Sequence, residues 1–464
     1  MGVKDRAYQR LPVPLQNLAV TTFGYRWYRQ RFGGVFAQEL RAFRDREAFT
    51  SEQWSNYQRQ QLSHILHTSA LRVPYYRAAF KEAGLSSREL ASITPDDIRL
   101  LPTLDKATLR AQGRTGLMAD GHDRRGQYFA SSGSTGTPTS IYFSAETHQR
   151  WSAAFESRIR LWAGVDRKHP RGMIGGRRVV PDGLAHPPYY RYNAWERQTY
   201  FSAYHISRGT APDYVRGMLR HGVSYMTGYA MSNYFLARFI EELGIQAPAL
   251  EAVITSSERL TPEARQTFLR VYGCRSFDSY SGVEACGLIS ECQAGSLHLS
   301  PDVAVVEILD EHGDPVPPGG TGEAVCTGLL NHDQPLIRYR IGDLLTLATS
   351  QSCECGRQMP IISDIVGRIE DTVVGPDGRE LVRFHGVFID LPSIVEGQII
   401  QWDLDRFEIL VVATERLPPE VDMTLRQRLR SQVGDVRVDV RVVEEIPRGA
   451  NGKVKAVVSH VERA

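Results

Sequence analysis

Lysine is scarce in this chain. Only six of its 55 basic residues are lysine (Lys4, Lys81, Lys106, Lys168, Lys453 and Lys455), so arginine carries nearly all the positive charge. A Gly452-Lys453 step near the C-terminus therefore stands out. An ammonium is a compact point charge on a flexible stem, whereas a guanidinium is a planar fork. Long apolar runs are also missing. Nothing approaches the ~18 residues of a membrane span, and Met1-Gly2-Val3-Lys4-Asp5-Arg6 has no hydrophobic signal core behind it. Arg6 breaks the N-myristoylation pattern. A charge excess of one sign is absent too, since a net charge of +2 leaves no electrostatic footprint for nucleic acid. The expectation is a cytoplasmic protein with neither a nucleic-acid nor a membrane partner. Its oligomeric state stays open. Internal repeats and low-complexity segments are absent as well.

What is present is a loop of unusual composition. The apolar-aromatic Gln127-Tyr128-Phe129-Ala130 runs directly into Ser131-Ser132-Gly133-Ser134-Thr135-Gly136-Thr137-Pro138-Thr139. Backbone N–H groups without bulky side chains, together with several hydroxyls, suit a polyphosphate. No Lys-Ser/Thr pair follows at the Walker spacing, which excludes a P-loop NTPase. Taken alone, such a run is equally a flexible connection.

Its downstream company decides the matter. Tyr280-Ser281-Gly282-Val283-Glu284, Tyr339-Arg340-Ile341-Gly342-Asp343, Gly367-Arg368-Ile369-Glu370-Asp371, and Pro447-Arg448 followed by Gly452-Lys453 come in order after the loop. Together they resemble the signature segments of the adenylate-forming acyl and aryl ligases. Val73-Pro74-Tyr75-Tyr76-Arg77, Leu101-Pro102-Thr103 with Lys106, Tyr204-His205-Ile206-Ser207 and Thr227-Gly228-Tyr229 are similar to the phenylacetate–CoA ligase branch and its relatives from capsular polysaccharide clusters.

That resemblance implies an AMP-forming ligase using ATP and Mg²⁺, with a small-molecule carboxylic acid (aryl or small acyl) and an acceptor as partners. Coenzyme A is the first expectation for the acceptor. An amine or hydroxyl acceptor, including adenylyl transfer, is the alternative, and a non-catalytic nucleotide-binding regulator is a third reading. It also implies roles. Ser131, Ser132, Gly133, Ser134, Thr135 and Gly136 would hold the β- and γ-phosphates, and Lys453 would bridge the carboxylate and the α-phosphate. Tyr280 and Ser281 would lie at adenine, with Ser257 and Glu258 beside it. Glu284 would be catalytic through Mg²⁺, Asp343 would take the ribose hydroxyls, and Arg368 would contact ribose or phosphate. His205, Gly228, Tyr229 and Ser256 would line the acyl pocket. The match is imperfect. Thr137 stands where many relatives carry lysine, Ser281 replaces glycine, Val283 replaces a hydroxyl residue, and Glu370 replaces a hinge aspartate.

Six cysteines are present. Cys353-Glu354-Cys355-Gly356 puts two thiols on a tight turn, and Cys292 lies six residues before His298. Cys292, His298, Cys353 and Cys355 make a Cys₃His set that suits structural, tetrahedral Zn²⁺. Buried free thiols are the alternative.

Periodicity sets the architecture. The expected fold is α/β: a large layered N-terminal domain with a β-rich subdomain, and a small α+β C-terminal domain. Thr50 or Ser51 caps a helix carrying Trp54, Tyr57, Leu62, Ile65 and Leu66. Leu250–Thr255 reads as a buried strand, followed by a helix starting at Thr261-Pro262. The division is expected at Val366-Gly367, giving an adenylation domain (1–366) and a mobile domain (367–464) with the catalytic lysine. In that second domain, Ser393–Ile400 and Thr424–Val433 read as helices and Asp435–Val442 as a strand.

Overall fold

The computed structural model describes residues 8–130, 139–177, 179–181, 184, 186–203, 205–258, 260–368, 373–376, 380–381, 384–388, 391, 393–413, 416–444, 446 and 457–461. Helices come first. Val13–Phe32 and Phe36–Asp45 lead to Ser51–Arg72, where Thr50 and Gln53 form a reciprocal capping box. The inward stripe of this third helix is Trp54, Leu62, Ile65 and Leu66, as the spacing predicts.

A twelve-stranded mixed sheet follows. Its centre is five parallel strands in the spatial order Gln198–Ser202, Arg171–Gly175, Tyr225–Tyr229, Ala252–Ser256 and Arg275–Ser281. Helices Ala230–Glu242 and Pro262–Tyr272 connect successive parallel strands, as a crossover requires. The second begins with Thr261 capping Ala264 N–H and Pro262 in the first turn, and stops at Gly273, whose φ is 69°. Beyond Arg275–Ser281 the sheet turns antiparallel through Leu288–Glu291, Leu297–Leu299, Ile361–Arg368, Tyr339–Leu347, Thr321–Gly328 and Ala304–Leu309. This is the β-rich subdomain. Strand Ile361–Arg368 stays in the sheet to its last residues, with Gly367 opposite Leu344 and Arg368 opposite Asp343.

A separate four-stranded sheet lies C-terminal to this, in the order Arg437–Val442, Arg406–Ala413, Ile394–Asp403 and Val457–Ser459. Helix Pro419–Val433 covers it, placing Leu425, Leu429 and Val433 against Ile399, Phe407, Ile409 and Val438. Here the helix expected at Ser393–Ile400 is instead a strand. It pairs antiparallel with Arg406–Ala413 and parallel with Val457–Ser459. Ile399 enters the core under the helix while Ile400 packs on the opposite face with Leu410 and Ile446. A strand covered on both faces loses its apolar alternation, so its period cannot be told from a buried helix. Among the described residues no helix is long and apolar enough to cross a membrane.

Candidate active site

Ligands of open parallel sheets bind outside the carboxyl ends of the strands. Gly228 and Tyr229 end one central strand, Ser256 ends the next, and Tyr280 and Ser281 end the third. Ser257 and Glu258 follow immediately. Ser257 holds φ at 70°, a left-handed conformation unusual for serine, and Ala285 holds 51° just after Glu284. His205 lies just past strand Gln198–Ser202. Its Nδ1 shares a hydrogen bond with Ser202 Oγ at 2.7 Å, and its ring stacks on Tyr189 at 5.0 Å. The phenol of Tyr229 closes over Gly176, where a Cβ would meet it at 2.6 Å.

Gly228 has φ of 122°, and any Cβ there would run into the Ile174 carbonyl oxygen of the neighbouring parallel strand. Only glycine fits. Gly228→Ala is expected to cost about 3 kcal/mol or more, visible as a lower denaturant midpoint. An unchanged midpoint would contradict the tight strand approach.

Two contacts tie distant motifs together. The Tyr280 phenol, fully buried, donates to Asp343 Oδ2 at 2.6 Å. Burial, and then the Asp343 carboxylate, push this phenol well above its ordinary value, so it stays a proton donor. The residues expected at adenine and at ribose are thus joined in one unit. Thr139, the first described residue after the Ser/Thr/Gly loop, donates to Glu284 Oε1 at 3.4 Å. Both side chains are buried, and Gly282 leaves the space that the other Glu284 oxygen occupies. Lys106 approaches from the first turn of helix Lys106–Gln112. Its Nζ would lie 2.8 Å from a Cβ at Gly342, beside Asp343. Arg368 is opposite Asp343 through its backbone. Its side chain, together with Ser131, Ser132, Gly133, Ser134, Thr135, Gly136 and Lys453, lies outside what the structure describes.

One pair of residues escapes sequence reasoning. Strands Gln127–Ala130 and Ser140–Phe143 form an isolated two-stranded sheet on either side of the Ser/Thr/Gly loop. Its outer edge is satisfied by side chains: Tyr142 N–H donates to Gln334 Oε1, and Asn331 Nδ2 donates to Tyr142 O at 2.9 Å. Gln334 Nε2 also donates to Gly113 O at 2.7 Å. Two amides thus imitate a missing strand. Asn331-His332-Asp333-Gln334-Pro335 reads in sequence as an ordinary polar turn, so only burial reveals it. Gln334→Leu would leave two buried backbone groups unpaired and is expected to cost about 2–4 kcal/mol, measured as a shift in unfolding midpoint. A shift below a few tenths would mean water replaces the amide without penalty.

The Cys₃His set is brought together. Cys292 opens the turn between Leu288–Glu291 and Leu297–Leu299, His298 lies in the latter strand, and Cys353 and Cys355 come from the loop before Ile361–Arg368. One ligand atom from each lies within 4.8 Å of the others. Cys292 Sγ and Cys353 Sγ are 3.6 Å apart, and Cys355 Sγ is 3.3 Å from His298 Nε2. Tetrahedral Zn²⁺ with Zn–S of about 2.3 Å and Zn–N of about 2.0 Å has edges of roughly 3.5–3.8 Å. The donor set fits. His298 Nδ1 faces Met359 O at 3.3 Å, which directs Nε2 to the cluster, and burial lowers its pKa so that the ring is neutral. Burial pushes the Cys292 thiol up to about 11. A cation supplies what such a thiol needs to ionise.

These features define a class. The parallel sheet edge, the β-rich subdomain and the small C-terminal sheet together make the fold of the adenylate-forming ligases. 2-Hydroxyisobutyryl-CoA ligase, solved in its postadenylation state with an acyl-AMP, matches 89% of this chain and 91% of its own, with a TM-score of 0.63 and 19% identity. The same ligase solved with acyl-AMP and CoA in its thioesterification state gives a TM-score of 0.58 at 18% identity. Residues 356–460 match the CapK C-terminal domain family. Protein CapK of Staphylococcus aureus is 23% identical over 98% of this chain and 99% of its own length. Phenylacetate–coenzyme A ligase of Thermus thermophilus is 25% identical over 89% of this chain and 98% of its own, and that of Escherichia coli is 25% identical over 84% and 91%. The chain is thus similar to CapK and to the phenylacetate–CoA ligases over most of its length.

Proposed function

We propose that this protein is an ATP-dependent, AMP-forming ligase that activates an aryl or small acyl acid and passes it to coenzyme A. The observation that carries this reading is the union of motifs at the sheet edge. Tyr280 holds Asp343, and Thr139 holds Glu284, so three segments scattered over 200 positions are drawn to the same end of the sheet. The chain's similarity to phenylacetate–coenzyme A ligases supports the same reading.

Adenylation sets a carboxylate against an anionic phosphate and expels pyrophosphate. Asp343, with one oxygen fixed by Tyr280, would accept from the ribose hydroxyls. Ser131–Gly136 would direct N–H and O–H donors to the β- and γ-phosphates. Ser257 and Glu258 would bound the adenine, and Gly228, Tyr229, Ser256 and His205 the acid. Glu284, a buried carboxylate with a hydroxyl beside it, suits a hard cation; Mg²⁺ bound there would neutralise phosphate charge. Lys453 would reach the α-phosphate from the C-terminal segment. We further propose that residues 367–464 turn as a body between adenylation and thioester formation. The Cys₃His cluster would hold structural zinc that staples two loops of the β-rich subdomain.

The test is exchange of labelled pyrophosphate into ATP across a panel of aryl, hydroxy and short-chain acids. Exchange is expected with one group of acids, accompanied by loss of CoA thiol when CoA is added. Exchange without thiol consumption would move the acceptor to an amine or hydroxyl, and no exchange with any acid would leave only a nucleotide-binding role.

A further inference from the structure

Helix Val13–Phe32 is inside out. Towards the strand edge its buried side is polar, with Gln16 2% exposed, while Trp27 packs on Phe129 and His148 further along; Leu15 is 47%, Leu18 61% and Phe23 51% exposed. The reason lies in the edge it covers. Strand Tyr190–Asn193 is the last of the twelve and pairs on one side only. Its free side is satisfied by helix side chains. Tyr192 N–H donates to Asn17 Oδ1 at 2.9 Å, and Thr21 Oγ1 donates to Tyr192 O and accepts from Ala194 N–H at 3.1 Å. Gln16 accepts from Arg191 and donates to Leu11 O at 3.0 Å. Capping an edge strand uses up the polar face, and the leucines are left pointing outward.

That outward face has a pattern. Leu15, Leu18, Thr22, Tyr25 and Arg29 follow each other at spacings of three and four, so they share one line along the helix. Leu11 and Phe23 widen the apolar part. Arg10, Arg26 and Arg29 sit exposed at its two ends, and none has an acidic partner among the described residues. From Arg6 to Gln38 the sequence contains five arginines and no acid. Beside the stripe Trp195, 51% exposed, packs edge-on against Tyr25 at 4.6 Å. Exposed leucines and Phe23 beside Tyr25, Trp195 and exposed arginines are side-chain types that suit a bilayer interface.

We propose that this helix docks the protein onto an anionic lipid surface, lying on the membrane rather than crossing it. A second copy of the chain is the poorer occupant. A two-fold contact would set the acid-free, arginine-bearing strip against itself, with nothing to neutralise it. Anionic headgroups supply the missing charge while the leucines, Phe23 and Trp195 enter the acyl boundary.

The test uses the full chain in flotation with vesicles of phosphatidylcholine alone or mixed with phosphatidylglycerol. Binding is expected only with phosphatidylglycerol present, weakening as salt rises. Leu15→Glu with Leu18→Glu, and separately Arg26→Glu with Arg29→Glu, should each weaken it on the order of tenfold or more. All four side chains are exposed, so both variants should keep the wild-type melting point and pyrophosphate exchange in solution. Equal binding to both vesicle types, no binding to either, or a dimer that Leu15→Glu with Leu18→Glu turns into a monomer would overturn the proposal. None of these outcomes depends on the ligase reading.

Discussion

Lys453→Ala is expected to lower acid-dependent pyrophosphate exchange by roughly 10²–10³-fold, the usual consequence of removing one donor aimed at transition-state charge. As the acid attacks the α-phosphorus, negative charge builds on the phosphate oxygens and the leaving pyrophosphate. In the proposed arrangement the donors from Ser131–Gly136 would face the outer phosphates, leaving the innermost one to the lysine. Lys453→Arg should rescue little, because a planar guanidinium cannot take the place of a compact ammonium on a carboxylate and a phosphate together. Lys455→Ala, two residues along, should exchange at close to the wild-type rate. With a preformed acyl-adenylate and CoA, Lys453→Ala should still make thioester, since only the first half-reaction needs the lysine. Full exchange in Lys453→Ala would withdraw the assignment.

The second large effect concerns the Cys₃His cluster. Purified protein is expected to carry one zinc per chain, lost in Cys353→Ser with Cys355→Ser. Structural zinc contributes folding energy directly, by ~10 kcal/mol or more where a small domain has little else. Here Trp54, Trp162 and Met359 pack around the site and share the load. A fall of a few °C in melting temperature is therefore expected, equivalent to a few kcal/mol at roughly 1 °C per kcal/mol in a chain of 464 residues. Cys274, buried in a different apolar cluster from the Cys₃His set, is the control: Cys274→Ser should keep the metal. Metal-free wild-type protein that melts unchanged in chelator would show that the thiols are simply buried and reduced.

How far the sequence spoke differs by residue. Tyr280 with Asp343, and Cys292, His298, Cys353 and Cys355, are brought together as their motifs led one to expect, because such chemistry needs rare residue types in fixed short spacings; the Ser131–Gly136 loop lies outside the described residues. Thr50 and Thr261-Pro262 were legible because helix ends have few solutions. The Asn331 and Gln334 amides were not, since a side chain that stands in for a strand looks like any polar turn until its burial is seen. Ser393–Ile400 misled through the same gap, because burial on both faces erased the alternation that marks a strand. For helix Val13–Phe32 the orientation was invisible in the sequence. Apolar residues are expected to point inward, and only the edge strand beside Asn17 and Thr21 shows why these do not.

The most direct test is the fate of the nucleotide. ATP incubated with Mg²⁺, CoA and an acid selected by pyrophosphate exchange should yield AMP and pyrophosphate in equal amounts, with no ADP, and none of it without the acid. ADP and phosphate as products, or turnover indifferent to the acid, would contradict the account.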